Sequence, residues 1–475
     1  MKFNDLIIHI IITSLLFGSA GCTIGPDYKR PVALETMPES YKELKGWKLA
    51  AQPDQAVISS NWWESYHDPV LNRLAEQVAG ANLNVAVADA QLRQARALVQ
   101  MAQSGSFPAI TAGVSATRNH LNRTLGAVGA DGKTVSAFQL PVDLSWELDL
   151  WGRLRRGIEA SQASFEASAA DLAAVTLSAQ AALVSAYFQL RLLDAQQGLL
   201  DATTTVYQKS YDLTNYQYSA GVASKAELFQ AEVQLKSTAA QALDLGAQRA
   251  QLEHAIALLI GKTPAAFTLP VASLTTVVPT IPPGLPSELL ERRPDIAAAE
   301  RNMSAANARI GFAQAAFYPT IKFSAGGGFS ASTLAKWLEW PSRFWSIGPA
   351  ASTTLYDGGL RQAQSDQASA GYETTVASYR GTVLRAFQEV EDNLAALRIL
   401  AAETQLQDQA VEAARQSLAI TNDQYQAGAV AYLNVLVAQS VTLANERTAL
   451  TLLGRRLAAS VLLVKALGGG WQGLP

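Results

Sequence analysis

The stretch Phe138 to Arg156, FQLPVDLSWELDLWGRLRR, changes its period partway through. Phe138, Leu140, Val142, Leu144, Trp146, Leu148 and Leu150 are apolar, and the positions between them, Gln139, Asp143, Ser145, Glu147 and Asp149, are polar, with Pro141 the one exception. Such alternation predicts a strand with one apolar and one acidic face. After Gly152 the alternation stops and no proline follows until Pro264, which predicts a helix of unusual length. An amphipathic strand running straight into such a helix is rare in soluble domains, and the rest of the chain has to account for it.

At 475 residues the chain has the length of two or three ordinary domains, yet only 16% of it is charged. Its net charge of −3 argues against nucleic acid as a partner. Past the N-terminus no run reaches the roughly 18 consecutive apolar residues of a transmembrane helix. Entry into a membrane would therefore use strands.

The first residues carry a basic start at Lys2, an apolar run from Leu6 to Phe17 and small residues ahead of the only cysteine, LLFGSAGC. One cysteine makes no internal disulfide. The arrangement resembles a bacterial lipoprotein signal, with Ser19 where the pattern usually has Leu. That resemblance implies removal of 1–21 and a diacylglyceryl group on the Cys22 thiol. Thr23 in place of Asp after the cysteine points, by the same sorting rules, to the outer membrane.

The chain also repeats itself. NLNVAVADAQLRQARALVQMAQSGSFPAIT (82–111) matches RPDIAAAERNMSAANARIGFAQAAFYPTIK (293–322) in apolar rhythm and several identities. NYQYSAGVASKAELFQAE (215–232) likewise meets NDQYQAGAVAYLNVLVAQ (422–439). This is one duplicated unit and not an array of short repeats. Each unit reads as helix, strand, loop, strand, long helix, tight turn, helix. In the first, the strands are expected near 107–118 and 134–150 and the long helix over about 153–218, stopping at Gly221. In the second, the strands fall near 317–329 and 344–356, and the helix over about 359–426 stops at Gly428. The resulting division is a signal peptide over 1–21, an N-terminal lipidated segment over 22–81, repeats over 82–260 and 294–467, a proline-rich linker over 261–293 and a tail over 468–475.

A helix of about 66 residues, rising roughly 1.5 Å per residue, is a rod roughly 100 Å long and must be packed along its length. Heptad seams run through both long helices: Ile158, Phe165, Leu172, Ala179, Ala186 and Leu193 in one, and Val376, Val383, Val390, Leu397, Thr404, Val411, Leu418 and Tyr425 in the other. For the helices alone an antiparallel soluble coiled coil is an equal reading. The strands separate the two. Four strands are too few to close a membrane barrel, which takes about eight, and an open four-stranded sheet with an apolar outer face leaves its edges bare. Two copies supply eight strands and three supply twelve. In such a barrel Leu140, Val142, Leu144, Trp146 and Leu148 would face lipid, with Trp146 and Trp151 at an interface, while Asp143, Glu147 and Asp149 would face water in the lumen. Pro141 and Pro349 each remove a ladder hydrogen bond and blur the register.

These residues, together with CTIGPDYKRP (22–31), WWESYHDPVLNRL (62–74), YSAGVAS (218–224), LLERRPDIAAAE (289–300), FYPTI (317–321), LYDGGLR (355–361), YQAGAVAYLNVL (425–436) and VKALGGGW (464–471), resemble the TolC/OprM-type outer-membrane factors in their lipoprotein branch. The resemblance covers nearly all of the mature chain. It implies a mainly α fold with membrane β: a homotrimer whose twelve-stranded β-barrel lies in outer-membrane lipid and continues into a long periplasmic α-helical barrel, each protomer an internal duplication. It further implies a periplasmic adaptor and an inner-membrane efflux pump as partners, no cofactor, and passive conduction of cargo expelled by the pump. A type I protein-secretion duct is the nearest alternative. An adaptor of the same pumps, with one hairpin and a lipoyl-like domain, lacks the duplication.

Catalysis has little support in these residues. His9, His67, His120 and His254 are scattered without ligand spacing, and SGSFP (104–108) leads into a strand, not into the helix of a phosphate loop. Trp62 and Trp63 read as packing anchors. The family's periplasmic rod ends narrow the duct, commonly with acidic side chains. Where relatives often carry aspartate, this chain has Val430 and Val437. The expected aperture residues are therefore Asp212 and Asp423 for charge and Tyr218 and Tyr425 for bulk, against the plainer reading of Asp212 and Asp423 as solvated helix residues.

Overall fold

The structure, a computed structural model, describes residues 23–34, 38–44, 58–120, 134–274, 276–282, 284 and 286–473. Cys22, the leader before it and the loop 121–133 lie outside the described residues. The chain runs α1 (Pro69–Ala81), α2 (Leu83–Ser104), β1 (Ala109–Ala112), β2 (Ser115–His120), β3 (Thr134–Leu148), α3 (Arg153–Ser219), α4 (Lys225–Leu259), the single turn α5 (Leu289–Arg292), α6 (Pro294–Ala315), β4 (Thr320–Ala331), β5 (Arg343–Ser352), α7 (Leu360–Gln426) and α8 (Tyr432–Ala466). Two compact units result. The first takes the chain up to Val32 with Leu92–Ser168 and Ala299–Tyr379; the second takes Ala33–Gln91, Ala169–Ala298 and Arg380–Pro475.

The first unit holds the sheet. Its strands are antiparallel in the order β1-β3-β4-β5, with β2 also on β3, so β1 with β2 forms one edge and β5 the other. The single strand expected near 107–118 is two. Ala112 pairs with Val142 and Ser115 with Gln139, so the register is continuous and the break falls at Gly113 and Val114. The Gly113 N–H donates to the Pro141 carbonyl at 3.0 Å, but Pro141 has no N–H to return and the ladder opens there. On its other side Pro141 lies opposite Gly328, where an added Cβ would stand 2.0 Å from the Leu140 carbonyl oxygen. Only glycine admits that approach. Pro349 lies on the edge strand β5, where proline is tolerated. β3 ends at Leu148, two residues short of the alternation, because Gly152 at φ 77° turns the chain into α3.

Both long helices are unbroken, 67 residues each, and both stop as the glycines predict. Gly221 at φ 76° and Gly428 at φ 73° are left-handed C′ residues. The Val222 N–H bonds the Gln217 carbonyl and Gly221 that of Tyr218; Ala429 and Gly428 repeat this onto Gln424 and Tyr425. This is the six-to-one and five-to-two pattern of a Schellman stop. The last helix ends in the same way, with Gly468 and Gly469 bonding back to Lys465 and Val464.

The core of the second unit gathers Trp62, Trp63, Tyr66, Leu71, Leu74 and Val78 against Leu183, Val184, Tyr187, Phe188, Val390, Leu394, Leu457, Val461 and Leu463. Trp62 and Trp63 are packed there edge-on, with Tyr66 tilted against Phe188 at 4.8 Å between ring centres. Of the α7 seam, Val383, Val390, Leu397 and Val411 are buried. The α3 seam differs: apart from Ala179 its residues are half-buried, and the buried stripe is Ala163, Ala167, Ala170, Leu177, Ala181, Leu183 and Val184. Alanines at that spacing let neighbouring backbones approach, so the seam slips off the strict heptad. The same alanines give one window of α3 a mean hydropathy of 1.4, high enough by length and composition for a membrane span although no long consecutive apolar run is present. Only 44% of that window is buried, and the same helix carries the ion pair of Arg191 and Asp194, one turn apart.

Candidate functional site

Register carries the alternation of β3 across the whole sheet. The rows Ile110–Leu144–Ala325–Ile347, Ala112–Val142–Gly327–Trp345, Leu140–Phe329–Arg343, Trp146–Phe323–Pro349 and Leu148–Ile321–Ala351 share one face. The opposite face carries Thr111–Asp143–Gly326–Ser346, Ser145–Ser324–Gly348 and Glu147–Lys322–Ala350. None of Leu140, Val142, Leu144, Trp146 and Leu148 is buried, and Ile110, Trp345 and Ile347 are exposed. An apolar face largely uncovered among the described residues, bounded by two edges without a strand partner there, is unstable in water as it stands.

The acidic residues divide into two kinds. Asp143 lies over Gly326, whose missing Cβ would stand 2.7 Å from its Oδ1, and has no ion-pair partner among the described residues. Glu147 and Asp149 are engaged at the junction with α3. Arg153 donates to both oxygens of Glu147 at 2.7 and 2.8 Å. Asp149 accepts from the Leu154 and Arg155 N–H groups at 3.0 and 2.9 Å, satisfying two orphan donors where the helix dipole is positive. The second repeat solves the same turn with Asp357, which accepts from Gly359 and Arg361 N–H groups and from the Arg361 guanidinium at 2.5 Å. The Arg361 hydrogen bond holds the Asp357 carboxyl below the usual range.

Sequence reasoning passed over Arg156. Its guanidinium is 4% exposed and reads the N-terminal strap: it donates to the Ile24 carbonyl (3.1 Å), the Gly25 carbonyl (3.1 Å), Asp27 (3.0 Å) and Glu159 (2.8 Å). Gly25, at φ 96°, lies so close to Gly311 that a Cβ would stand 2.3 Å from its Cα. Tyr28 donates to Glu300 and Asn307 to the Pro26 carbonyl. The strap from Thr23 is thereby fixed at the strand–helix junction, where the Ile24 N–H bonds the Trp151 carbonyl. The indoles of Trp146 and Trp151 donate to the Ser106 and Pro319 carbonyls.

In the second unit the turns at Gly221 and Gly428 border an open cavity of about 570 Å³ lined by Gln217, Glu227, Tyr425 and Tyr432 among others. Asp212, Tyr218 and Asp423 are exposed, Asp212 accepting from Gln208 one turn away. Tyr425 is drawn inward: its hydroxyl donates to Gln217 at 3.2 Å, and its ring lies 5.5 Å from Tyr432 beside Ala231, Val435 and Leu436. Of the four expected aperture residues, Tyr425 is thus also a packing residue of the turn.

The model of the outer membrane efflux protein family matches residues 74–262 and 285–469. The chain belongs to the outer membrane efflux protein family. It is 31% identical over 478 residues to the toluene efflux pump outer membrane protein TtgF of Pseudomonas putida, covering 98% of both chains. It is 30% identical over 455 residues to the cation efflux system protein CusC of Escherichia coli, covering 95% of this chain and 96% of that one. Among solved structures the outer-membrane channel OprN superposes with a TM-score of 0.88 at 32% identity, over 95% of this chain and all of that one. The TolC/OprM-type resemblance read from the sequence is therefore correct, and the chain is an outer-membrane channel protein of an efflux family.

Proposed function

We propose that the chain is the exit duct of a tripartite efflux system and works as a homotrimer. The observation that carries this reading is the uncovered apolar sheet face with both edges open. Three copies joining β5 of one to β1 and β2 of the next would remove every edge and turn the apolar face to lipid, with Asp143 in the water-filled lumen. An inner-membrane transporter supplies the energy, a periplasmic adaptor joins the two, and conduction through this protein is passive. The strap held by Arg156 supports a lipid anchor on Cys22, which would leave the acyl chains beside the sheet; intact mass of the mature protein would reveal an unmodified Cys22 and end that claim. Small-molecule or ion export is favoured over type I protein secretion by the names of TtgF and CusC, which concern toluene and cations.

Reconstitution in a planar bilayer tests the reading. The purified protein is expected to give discrete conductance steps; a protein that inserts without conducting would sink it. Asp212 and Asp423 are proposed to line the periplasmic mouth, where three copies of each concentrate negative charge and favour cations. Replacing Asp423 by Ala is expected to raise conductance and lower cation preference. If neither changes in the Asp423 and Asp212 variants, both are ordinary solvated residues.

A further inference from the structure

The apolar face of the sheet changes character at the end remote from α3. There the row Leu140–Phe329 ends in Arg343, and Arg118 stands opposite Ser136. The loop between β4 and β5 is ordered by two short 3₁₀ turns, Leu334–Lys336 and Trp340–Ser342. The Trp337 N–H bonds the Leu334 carbonyl, the Ser342 N–H that of Glu339, and the Ser342 hydroxyl donates to the Lys336 carbonyl at 2.6 Å. Trp337 leans onto Phe138, a member of the apolar face, at 6.1 Å. Despite this order the loop leaves Leu334, Leu338 and Trp340 64%, 63% and 70% exposed. The Arg343 guanidinium sits 4.1 Å from the centre of the Trp340 ring. Neither Arg343 nor Lys336 has a carboxylate partner among the described residues, and with Arg343 counted the segment 332–343 carries two cations against the single carboxylate Glu339.

A rigid loop that holds three large apolar side chains outward and two unpaired cations beside them is built for a boundary between acyl chains and anionic headgroups. We propose that loop 332–342 with Arg343 seats a phosphorylated glycolipid of the outer leaflet. Leu334, Leu338 and Trp340 enter the acyl boundary, while Arg343, stacked on Trp340, and Lys336 take the phosphate. The inference rests on the reading of the sheet as a membrane-spanning barrel wall, in which this end is the outer one because α3 leaves from the other.

The test is lipid retention. The protein is extracted from its own outer membrane in mild detergent and the ratio of bisphosphorylated lipid A to protein is measured by mass spectrometry. Lys336→Gln with Arg343→Gln is expected to lower that ratio about thirtyfold, the loss anticipated for two surface cations facing an anionic layer. Washing the parent protein with inorganic phosphate is expected to leave the lipid in place. An unchanged ratio in the double variant overturns the proposal, as does release by inorganic phosphate, which would mark a plain anion site. Leu334→Ser with Leu338→Ser should also lower retention; no loss there overturns the acyl half of the seat. Bilayer conductance of the same variants separates the outcomes: conducting variants with unchanged lipid dismiss the seat and leave the duct standing.

Discussion

Replacing Asp194 by Ala is expected to cost about 3–5 kcal/mol, the range for removing one partner of a buried ionic cluster. Its carboxylate is 1% exposed and accepts from Arg191 at 2.9 Å, Arg249 at 2.7 Å and the Ala272 N–H at 3.3 Å. Those arginines in turn donate to the Pro270 and Leu269 carbonyls, and Glu253 accepts from both Arg249 and the Leu269 N–H. The cluster therefore ties the linker to α3 and α4. Without the carboxylate, Arg191 is left charged and buried, with the Pro270 carbonyl and the Tyr187 ring beside it but no carboxylate partner among the described residues. Helical circular dichroism against temperature should register a fall in the midpoint, and trypsin should gain access to the segment 262–272. A variant with parental midpoint and cleavage pattern would show that the arginines are solvated in solution. Asp194→Asn, which keeps an acceptor, should lose less.

On the sheet, Leu144→Arg is expected to cost about 2–4 kcal/mol if its row lies near the bilayer midplane. Leu144 stands between Ile110 and Ala325 on the apolar face, whereas Asp143 next to it stands between Thr111 and Gly326 on the polar one. Asp143→Asn should therefore cost far less. Urea-dependent refolding into vesicles measures both. Equal tolerance at the two neighbours would mean that the faces are reversed or that the sheet does not meet lipid.

What could be read in advance was whatever a local period encodes. The two-residue alternation from Phe138 to Leu148 and the proline-free run after Gly152 placed β3 and α3 with small errors at their ends, and Gly221 and Gly428 stopped the long helices where left-handed glycine must. What escaped depends on partners distant in sequence. The split of β1 from β2 is set by Pro141 across the ladder. Glu147 on β3 and Asp149 just past its end keep the polar parity of the strand, yet the turn at Gly152 brings Arg153 and the free N–H groups of α3 onto them. Arg156 finds its acceptors in Ile24, Gly25 and Asp27, and Asp194 needs Arg249 and Ala272; no spacing rule joins such positions. The residues expected at the aperture had only an exposed-or-packed ambiguity in sequence, and for Tyr425 the fold adds contacts with Gln217 and Tyr432.

The two hairpin turns share a backbone but are held by different forces. At the first, Ser224 and Glu227 form a reciprocal capping box on the start of α4, whose opening residues Lys225 and Ala226 are exposed. At the second, Ala431 offers no side-chain cap, and α8 instead begins by burying Tyr432, Val435 and Leu436. Apolar burial weakens on cooling, while a hydrogen-bonded cap does not share that dependence. Temperature therefore acts on the two turns unequally: in the cold the second loosens relative to the first, giving the pair a thermal asymmetry that their near-symmetric sequence conceals.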